Sequence, residues 1–130
     1  MLALLGPAHY AVVAALHGKR FSLEDEKRTQ AEIAAVLTVS GLDFRREVAL
    51  APANGLRGVI DFAIPGEDGK LVGLEIKLGG SAVAIHRQMC RYAHDDQVAS
   101  LVLATSKAIA FPPVVGGKRC TVINLWAAWL

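Results

Sequence analysis

Three charged side chains on two neighbouring predicted strands have the types and spacing of a small chemical site. Asp61 lies in segment 58–65, and Glu75 and Lys77 lie in segment 70–78. Both segments alternate like strands, and the turn-forming sequence PGEDG joins them. If the two strands pair, the three charged side chains converge on one face of the sheet.

Two carboxylates held close together repel one another and invite a divalent cation. Mg²⁺ prefers oxygen ligands and keeps several waters, so Asp61, Glu75 and the backbone carbonyl of Ile76 form a plausible ligand set. Such a cation polarises a phosphoryl oxygen, and Lys77 can position water or stabilise developing negative charge. Cross-strand ion pairs on a solvated sheet face are the alternative interpretation of the same residues.

Alternation also predicts which strand residues are buried. The predicted core face carries Ile60, Phe62, Ile64, Val72, Leu74 and Ile76. Asp61 and Glu75 are expected on the opposite face, where Gly73 leaves open space beside Glu75.

The elements that position these residues follow in a simple order. Ser22 is the predicted N-cap of the first core helix, acidic residues fill its first turn, and Gly41 ends it. The predicted strands span 43–52, 58–65, 70–78 and 98–106, and segment 119–130 is a last strand followed by a hydrophobic tail. A second helix spans 81–96, and 111–118 is a loop. Residues 1–130 are therefore expected to form one α/β domain with a mixed sheet flanked by helices.

An apolar segment, 1–20, precedes this core. It predicts a helix from about Pro7 to Leu16 that packs on the domain or on a second subunit. The absence of Lys and Arg before Lys19 argues against a signal peptide, although a secretion signal stays open. The segment is too short and interrupted to span a membrane.

Composition restricts the function classes only broadly. The chain has 130 residues, 53% of them hydrophobic and 20% charged, which is typical of an ordered globular domain. A net charge of +2 permits binding to a polyanion without predicting it. Cys90 and Cys120 lack metal-ligand spacing, which favours reduced thiols in a cytoplasmic protein over a zinc site.

The pattern of Asp61, thirteen residues and then Glu75-Ile76-Lys77 resembles the D…(E/D)-x-K signature of the PD-(D/E)XK nuclease superfamily. The predicted order of elements, αβββαβ, is similar to that superfamily's core over about residues 21–125. Within that superfamily, the chain resembles small Holliday-junction-resolvase-like and phage-type nucleases. The resemblance implies a restriction-endonuclease-like core over 21–130, with segment 1–20 as an additional helix and possible dimer contact.

The resemblance also implies roles for individual residues. The implied catalytic residues are Asp61, Glu75, Lys77, Gln88 and Glu26. The implied metal ligands are Asp61, Glu75, the Ile76 carbonyl and Glu26. Glu26 is chosen because Gln30 follows one turn later, as in related nucleases, while Glu24, Asp25 and Glu32 are rivals. A favourable interaction with the helix dipole is an alternative role for Glu26.

A Gln-x-x-x-Tyr pattern on the second core helix is a further point of resemblance. Gln88 and Tyr92 share a helix face, and the family pattern places the glutamine near the attacking water, Lys77 or the DNA backbone. Tyr92 is equally compatible with the core. The implied nucleic-acid-binding residues are Arg57, Arg87, Arg91 and Tyr92.

Each of the three arginines has an open question. Arg57 lies four residues before Asp61, where relatives often have a basic residue closer to the aspartate. It shares the strand face of Asp61 only if the strand extends that far. A solvated helix face, with Arg91 near Asp95, is the alternative for Arg87 and Arg91.

The expected function is metal-dependent hydrolysis of DNA, with Mg²⁺ as cofactor and Mn²⁺ as a possible substitute. Branched or junction DNA fits a chain with little room for a sequence-reading domain, and junction cutting predicts a homodimer. The resemblance favours a cytoplasmic, prokaryotic or phage-encoded protein that does not enter a membrane. A non-catalytic nucleic-acid-binding or assembly subunit is the first alternative. A plain α/β interaction domain is the second.

Overall fold

The computed structural model describes residues 5–53 and 55–130 of the chain. Residues 1–4 of the predicted N-terminal segment lie outside the described residues. The helices are α1 (Pro7–Leu16), α2 (Glu26–Val39) and α3 (Ala82–Ala93). The strands are β1 (Arg45–Ala49), β2 (Val59–Pro65), β3 (Leu71–Lys77), β4 (Val98–Thr105), β5 (Val114–Val115) and β6 (Lys118–Asn124).

The six strands form one mixed sheet in the order β1-β2-β3-β4-β6-β5. The first three strands are an antiparallel meander, and β3, β4 and β6 run parallel. Helix α3 connects β3 to β4, as a parallel pair requires. This arrangement confirms the predicted α/β architecture with a mixed sheet flanked by helices.

The prediction of a simple loop at 111–118 is wrong. Strand β5 lies within it and pairs antiparallel with β6. Gly116 and Gly117 form the turn between them at φ +55° and +80°, a region in which glycine is not strained.

Helices cover both faces of the sheet. On one face, α1 and α2 pack on β2, β3 and β4, and the buried residues there include Phe62, Leu74, Ile76 and Val102. On the other face α3 packs over Ile60, Leu101 and Leu103. Because β3 is buried on both sides, Glu75 lies inside the domain.

Helix α1 packs on its own domain, which confirms one of the two predicted docking partners. Val12 and Leu16 are buried, and the His9 ring contacts hydroxyl groups on β4 and β6. The carboxylate of Glu67, in the turn between β2 and β3, accepts a hydrogen bond from Ala8 N at the start of the helix. Over residues 5–53 and 55–130, none of the helices has the length and apolar character needed to cross a membrane.

Helix α2 begins later than predicted. Its N-cap is Asp25, whose side chain accepts from Lys27 N at 3.0 Å, so Ser22 is not the cap. Ser22 instead donates its backbone N–H to the Glu32 carboxylate at 2.6 Å. The predicted end at Gly41 is confirmed, with that residue at φ +78°.

The alternation of β2 is interrupted at Asp61. Ile60 packs in the cluster under α3, whereas Phe62 packs in the cluster under α2, so the prediction that they share a face is wrong. The residue opposite Asp61 on β1 is Glu47, whose backbone φ is +53°. The β2–β3 pairing extends only from Pro65↔Leu71 to Phe62↔Leu74. The strands therefore part next to the two carboxylates.

Candidate active site

Asp61 and Glu75 are held together where the β2–β3 ladder ends. The Asp61 carboxylate accepts a hydrogen bond from Ile76 N at 2.8 Å, and the Glu75 carboxylate accepts from Asp61 N at 3.1 Å. Each acidic side chain thus binds the backbone of the opposite strand and replaces a missing ladder contact. This reciprocal arrangement fixes both carboxylates in adjacent positions.

Glu75 is sealed beneath α3, with 2% of its surface exposed. The alternative interpretation, cross-strand ion pairs on a solvated sheet face, is therefore wrong for Glu75. The expected open space beside Gly73 is also filled, because a Cβ there would lie 3.0 Å from Leu101 Cδ2 and closer still to Ile60. Asp61 is partly exposed, so the pair is accessible from the Asp61 side.

The Gln-x-x-x-Tyr pair holds Glu75 from the helix side. Tyr92 O–H lies 3.0 Å from both a Glu75 carboxylate oxygen and the Val59 carbonyl, and can donate to either. Gln88 Nε2 donates to the Tyr92 oxygen at 2.6 Å. Tyr92 is fully buried, so its predicted contact with nucleic acid is wrong and the core alternative is correct. Its hydroxyl positions Glu75.

Lys77 supplies the nearest positive charge. Its Nζ lies 3.6 Å from a Glu75 carboxylate oxygen, and 26% of its side chain is exposed. Glu26, at the first position of α2, is partly exposed on the other side of this group. Its pKa is raised, mainly by burial, while the Lys77 charge lowers it and the Asp61 charge raises it. The structure thus brings Glu26 to the edge of the site, whereas its rivals Glu24 and Asp25 are exposed.

The two central carboxylates are electrostatically crowded. Burial raises the pKa of Glu75 to about 8, the Asp61 charge adds to this shift, and Lys77 opposes it. Burial likewise raises the pKa of Asp61, against hydrogen bonds from Ile76 N and Glu75. At neutral pH the pair therefore retains a proton unless another cation takes its place.

This donor set fits a hard divalent cation in part. Asp61 and Glu75 offer adjacent carboxylates in need of positive charge, which suits Mg²⁺ or Mn²⁺. Among the described residues no three His, Cys, Asp or Glu side chains form a metal-binding group. Glu26 is therefore near the pair without completing a three-carboxylate site. Any cation here would take two carboxylates, the predicted Ile76 carbonyl and water.

The three arginines predicted to bind nucleic acid differ in exposure and in the element that carries them. Arg57 is exposed and precedes β2, which begins at Val59, so the argument that it shares a strand face with Asp61 is wrong. Arg87 is exposed on α3. The alternative that Arg91 lies near Asp95 on a solvated helix face is not supported, because Asp95 is buried and its carboxylate accepts from Ala51 N and Gln97 N.

Arg46 is a site residue that the sequence interpretation missed. It lies opposite Phe62 in the β1–β2 register, and its guanidinium carbon is 5.2 Å from the centre of the Phe62 ring. Its charge lowers the pKa of Asp61. The sequence contained a signal, since Arg46 lies in the predicted strand 43–52. The register that places Arg46 opposite Phe62, next to Asp61, could not be predicted from the sequence.

Comparison with known proteins does not define a relationship. No protein-family model matches the chain, and no curated protein matches it. The interpretation of the site therefore depends on its own geometry and charges.

Proposed function

We propose that this protein is a metal-dependent nuclease that hydrolyses phosphodiester bonds in DNA, with a core of the PD-(D/E)XK type. The observation that carries the proposal is the reciprocal binding of Asp61 and Glu75 by each other's strand, with Lys77 at 3.6 Å from Glu75. A buried pair of carboxylates destabilises a fold unless it is neutralised. A cation-binding function explains why such a pair is present.

Each residue has a distinct role in this proposal. Asp61 and Glu75 hold the divalent cation with the Ile76 carbonyl, and Glu26 adds negative charge at its edge. When bound, Mg²⁺ polarises a phosphoryl oxygen and neutralises charge on the phosphate. Lys77 lies beside the carboxylates and orients water or stabilises the phosphate. Gln88 acts through Tyr92, whose hydroxyl holds Glu75 in place.

Substrate binding in this proposal depends on the basic residues around the pair. Arg46, Arg57, Arg87 and Arg91 offer positive charge for DNA phosphates. Such contacts make affinity fall steeply with salt.

Junction DNA is the proposed preferred substrate, which requires two copies of the site and hence a homodimer. The C-terminal residues are candidate contacts, because Trp129 and Leu130 are 53% and 88% exposed. Trp129 also donates to the Phe21 carbonyl and stacks under Arg20, so part of its surface already packs on its own chain.

The test is cleavage of supercoiled plasmid and of a synthetic four-way junction with Mg²⁺ or Mn²⁺. Asp61→Asn removes one carboxylate charge and keeps side-chain size. Asp43→Asn, at an exposed acid outside the site, is the matched control. We expect metal-dependent cleavage in the wild type and the control and none in Asp61→Asn. Equal cleavage in both variants would contradict the proposal.

A non-catalytic nucleic-acid-binding subunit is the second candidate. The observation that favours it is the engagement of both Glu75 oxygens, by Asp61 N and Tyr92 O–H, with 2% of the residue exposed. Such a carboxylate can serve as a buried structural group. DNA binding without cation binding or cleavage, in protein that is folded, would select this candidate.

A further inference from the structure

A cleft of about 440 Å³ lies between the outer side of α3 and the segment before β2. Its walls include His86, Arg87, Arg91 and His94 from the helix, and Ala53 and Leu56 from the facing segment. The facing segment is fixed to α3 nearby, because Ala51 N donates to Asp95 and Tyr92 O–H reaches Val59 O. The cleft is therefore a feature of the folded core.

One wall of the cleft contains a buried donor without a partner. Arg91 Nε is inaccessible to solvent and has no hydrogen-bond acceptor among the described residues. Leaving a buried donor unpaired is unfavourable, and more so when the group is charged. Asp95, four residues further on, accepts from two backbone N–H groups and makes no hydrogen bond to Arg91 Nε. Nε itself is covered, but Arg91 is partly exposed and lines the cleft, so a ligand there can reach its terminal guanidinium nitrogens.

The charge of the cleft favours an anion. Arg87 and Arg91 lie four residues apart on α3, so their guanidinium groups flank the same groove. None of the described residues that line the cleft is acidic. Guanidinium groups bind phosphate through paired N–H donors, and the imidazoles of His86 and His94 add donors at either end.

We infer that this cleft is a phosphate-binding subsite for a nucleic-acid strand. The inference rests on the proposed function and deepens it by assigning a second contact point for the substrate. Arg91 is adjacent in sequence to Tyr92, which reaches Glu75 on the inner side of the same helix. The cleft and Glu75 thus lie on different sides of the same helix. In this proposal the cleft holds a phosphate of the strand other than the one being cleaved.

The first test measures binding of a fluorescent single-stranded oligonucleotide in EDTA, where no cleavage occurs. Arg87→Ala/Arg91→Ala removes two charges from the cleft. Lys27→Ala/Arg28→Ala removes two charges from exposed positions on α2, across the sheet. We expect the cleft variant to lose roughly tenfold or more in affinity, and the slope of log K against log salt to fall by ~1–2. The control should bind like the wild type. Equal losses in both variants would overturn the inference.

The second test observes Arg91 directly by NMR of arginine Nε–H groups. We expect the Arg91 signal to shift on addition of inorganic phosphate and of the oligonucleotide, while Arg28 does not. If the alanine variant does not fold, Arg91→Lys takes its place in this test. Because lysine keeps the charge but lacks the paired donors, Arg91→Lys should weaken phosphate binding. A shift with inorganic phosphate alone would overturn the assignment to nucleic acid. No shift with either probe would overturn the anion site.

These readouts separate the subsite from the nuclease proposal. Loss of binding in the cleft variant, without any metal-dependent cleavage by the wild type, would support the subsite and contradict the nuclease. Metal-dependent cleavage, with unchanged binding in the cleft variant, would support the nuclease and overturn the subsite.

Discussion

Two buried polar clusters lie in this domain, and their electrostatics differ. On the side of α1, His9 Nδ1 lies 2.7 Å from Ser100 Oγ, and Nε2 lies 2.7 Å from Thr121 Oγ1. On the side of α3, Asp61 and Glu75 are held against one another. Burial lowers the pKa of His9, which keeps its ring neutral, whereas burial raises the pKa of Glu75 to about 8.

The difference separates a structural cluster from a functional one. The His9 ring has a partner for each nitrogen and connects α1 to two strands, so it stabilises the fold. The carboxylates are also hydrogen-bonded, but their mutual repulsion remains. A protein retains such a conflict most readily where charge is needed for binding or catalysis. The following predictions test this separation from the largest expected effect to the smallest.

Asp61→Asn should lower metal-dependent cleavage by roughly 10³-fold, because the cation loses one of its two carboxylate ligands. His9→Gln should leave the cleavage rate of the folded protein within about twofold, since His9 lies in the other cluster. Initial rates of plasmid nicking measure both. A loss of similar size in the two variants would show that the clusters are not functionally distinct.

His9→Ala should reduce the free energy of unfolding by about 2–4 kcal/mol, because it opens a cavity and leaves two hydroxyl groups without partners. Urea unfolding monitored by circular dichroism measures this change. Ser100→Ala is a smaller perturbation of the same cluster and should cost less. A His9→Ala variant with an unchanged free energy of unfolding would contradict the structural role of His9.

The two clusters should respond to pH in opposite directions in EDTA. For Glu75, the folded protein binds its proton more tightly than the unfolded chain, so stability falls as pH rises from about 4.5 toward 8. For His9, the unfolded chain binds the proton more tightly, so stability falls as pH drops below about 6.5.

Thermal unfolding between pH 5 and 9 measures both effects. Glu75→Gln should remove the decline between pH 6.5 and 8, which we expect to be at least ~1 kcal/mol. His9→Gln should leave that decline intact. If Glu75→Gln retains the full decline, the electrostatic account of the carboxylate pair is wrong.

Tyr92→Phe should have the smallest effect, about 1 kcal/mol in stability and several-fold in cleavage, because it removes one hydrogen bond to Glu75 and keeps the packed ring. Gln88→Ala should act in the same direction and more weakly. The informative comparison is between the two single variants and the double variant Tyr92→Phe/Gln88→Ala. If Gln88 acts through Tyr92, the two effects on cleavage should not add. Additive effects would indicate separate roles.

The sequence predicted the order of elements well because apolar periodicity and turn chemistry are local. Helix α1 and strand β4 lie where the patterns placed them. The pairing of Asp61 with Glu75 was also accessible, since a turn between adjacent strands brings the two residues together. The β5 hairpin was missed because a two-residue strand leaves no periodic signal.

Burial around the site was harder to predict. Alternation assigns faces correctly only while a strand stays regular, and β2 changes face between Ile60 and Phe62. The burial of Tyr92 and the approach of Arg46 depend on how α3 and β1 lie relative to the pair. These are tertiary relationships, which a local pattern does not encode.

The most direct test of the central claim is the effect of Mn²⁺ on thermal unfolding at pH 8, compared between wild type and Glu75→Gln. A cation that binds only the folded state stabilises it by about 2.7 kcal/mol at one hundred times its Kd. The account predicts that Mn²⁺ raises the wild-type midpoint by several degrees and leaves Glu75→Gln unchanged. An unchanged wild-type midpoint, or an equal rise in both proteins, would contradict a cation site at Asp61 and Glu75.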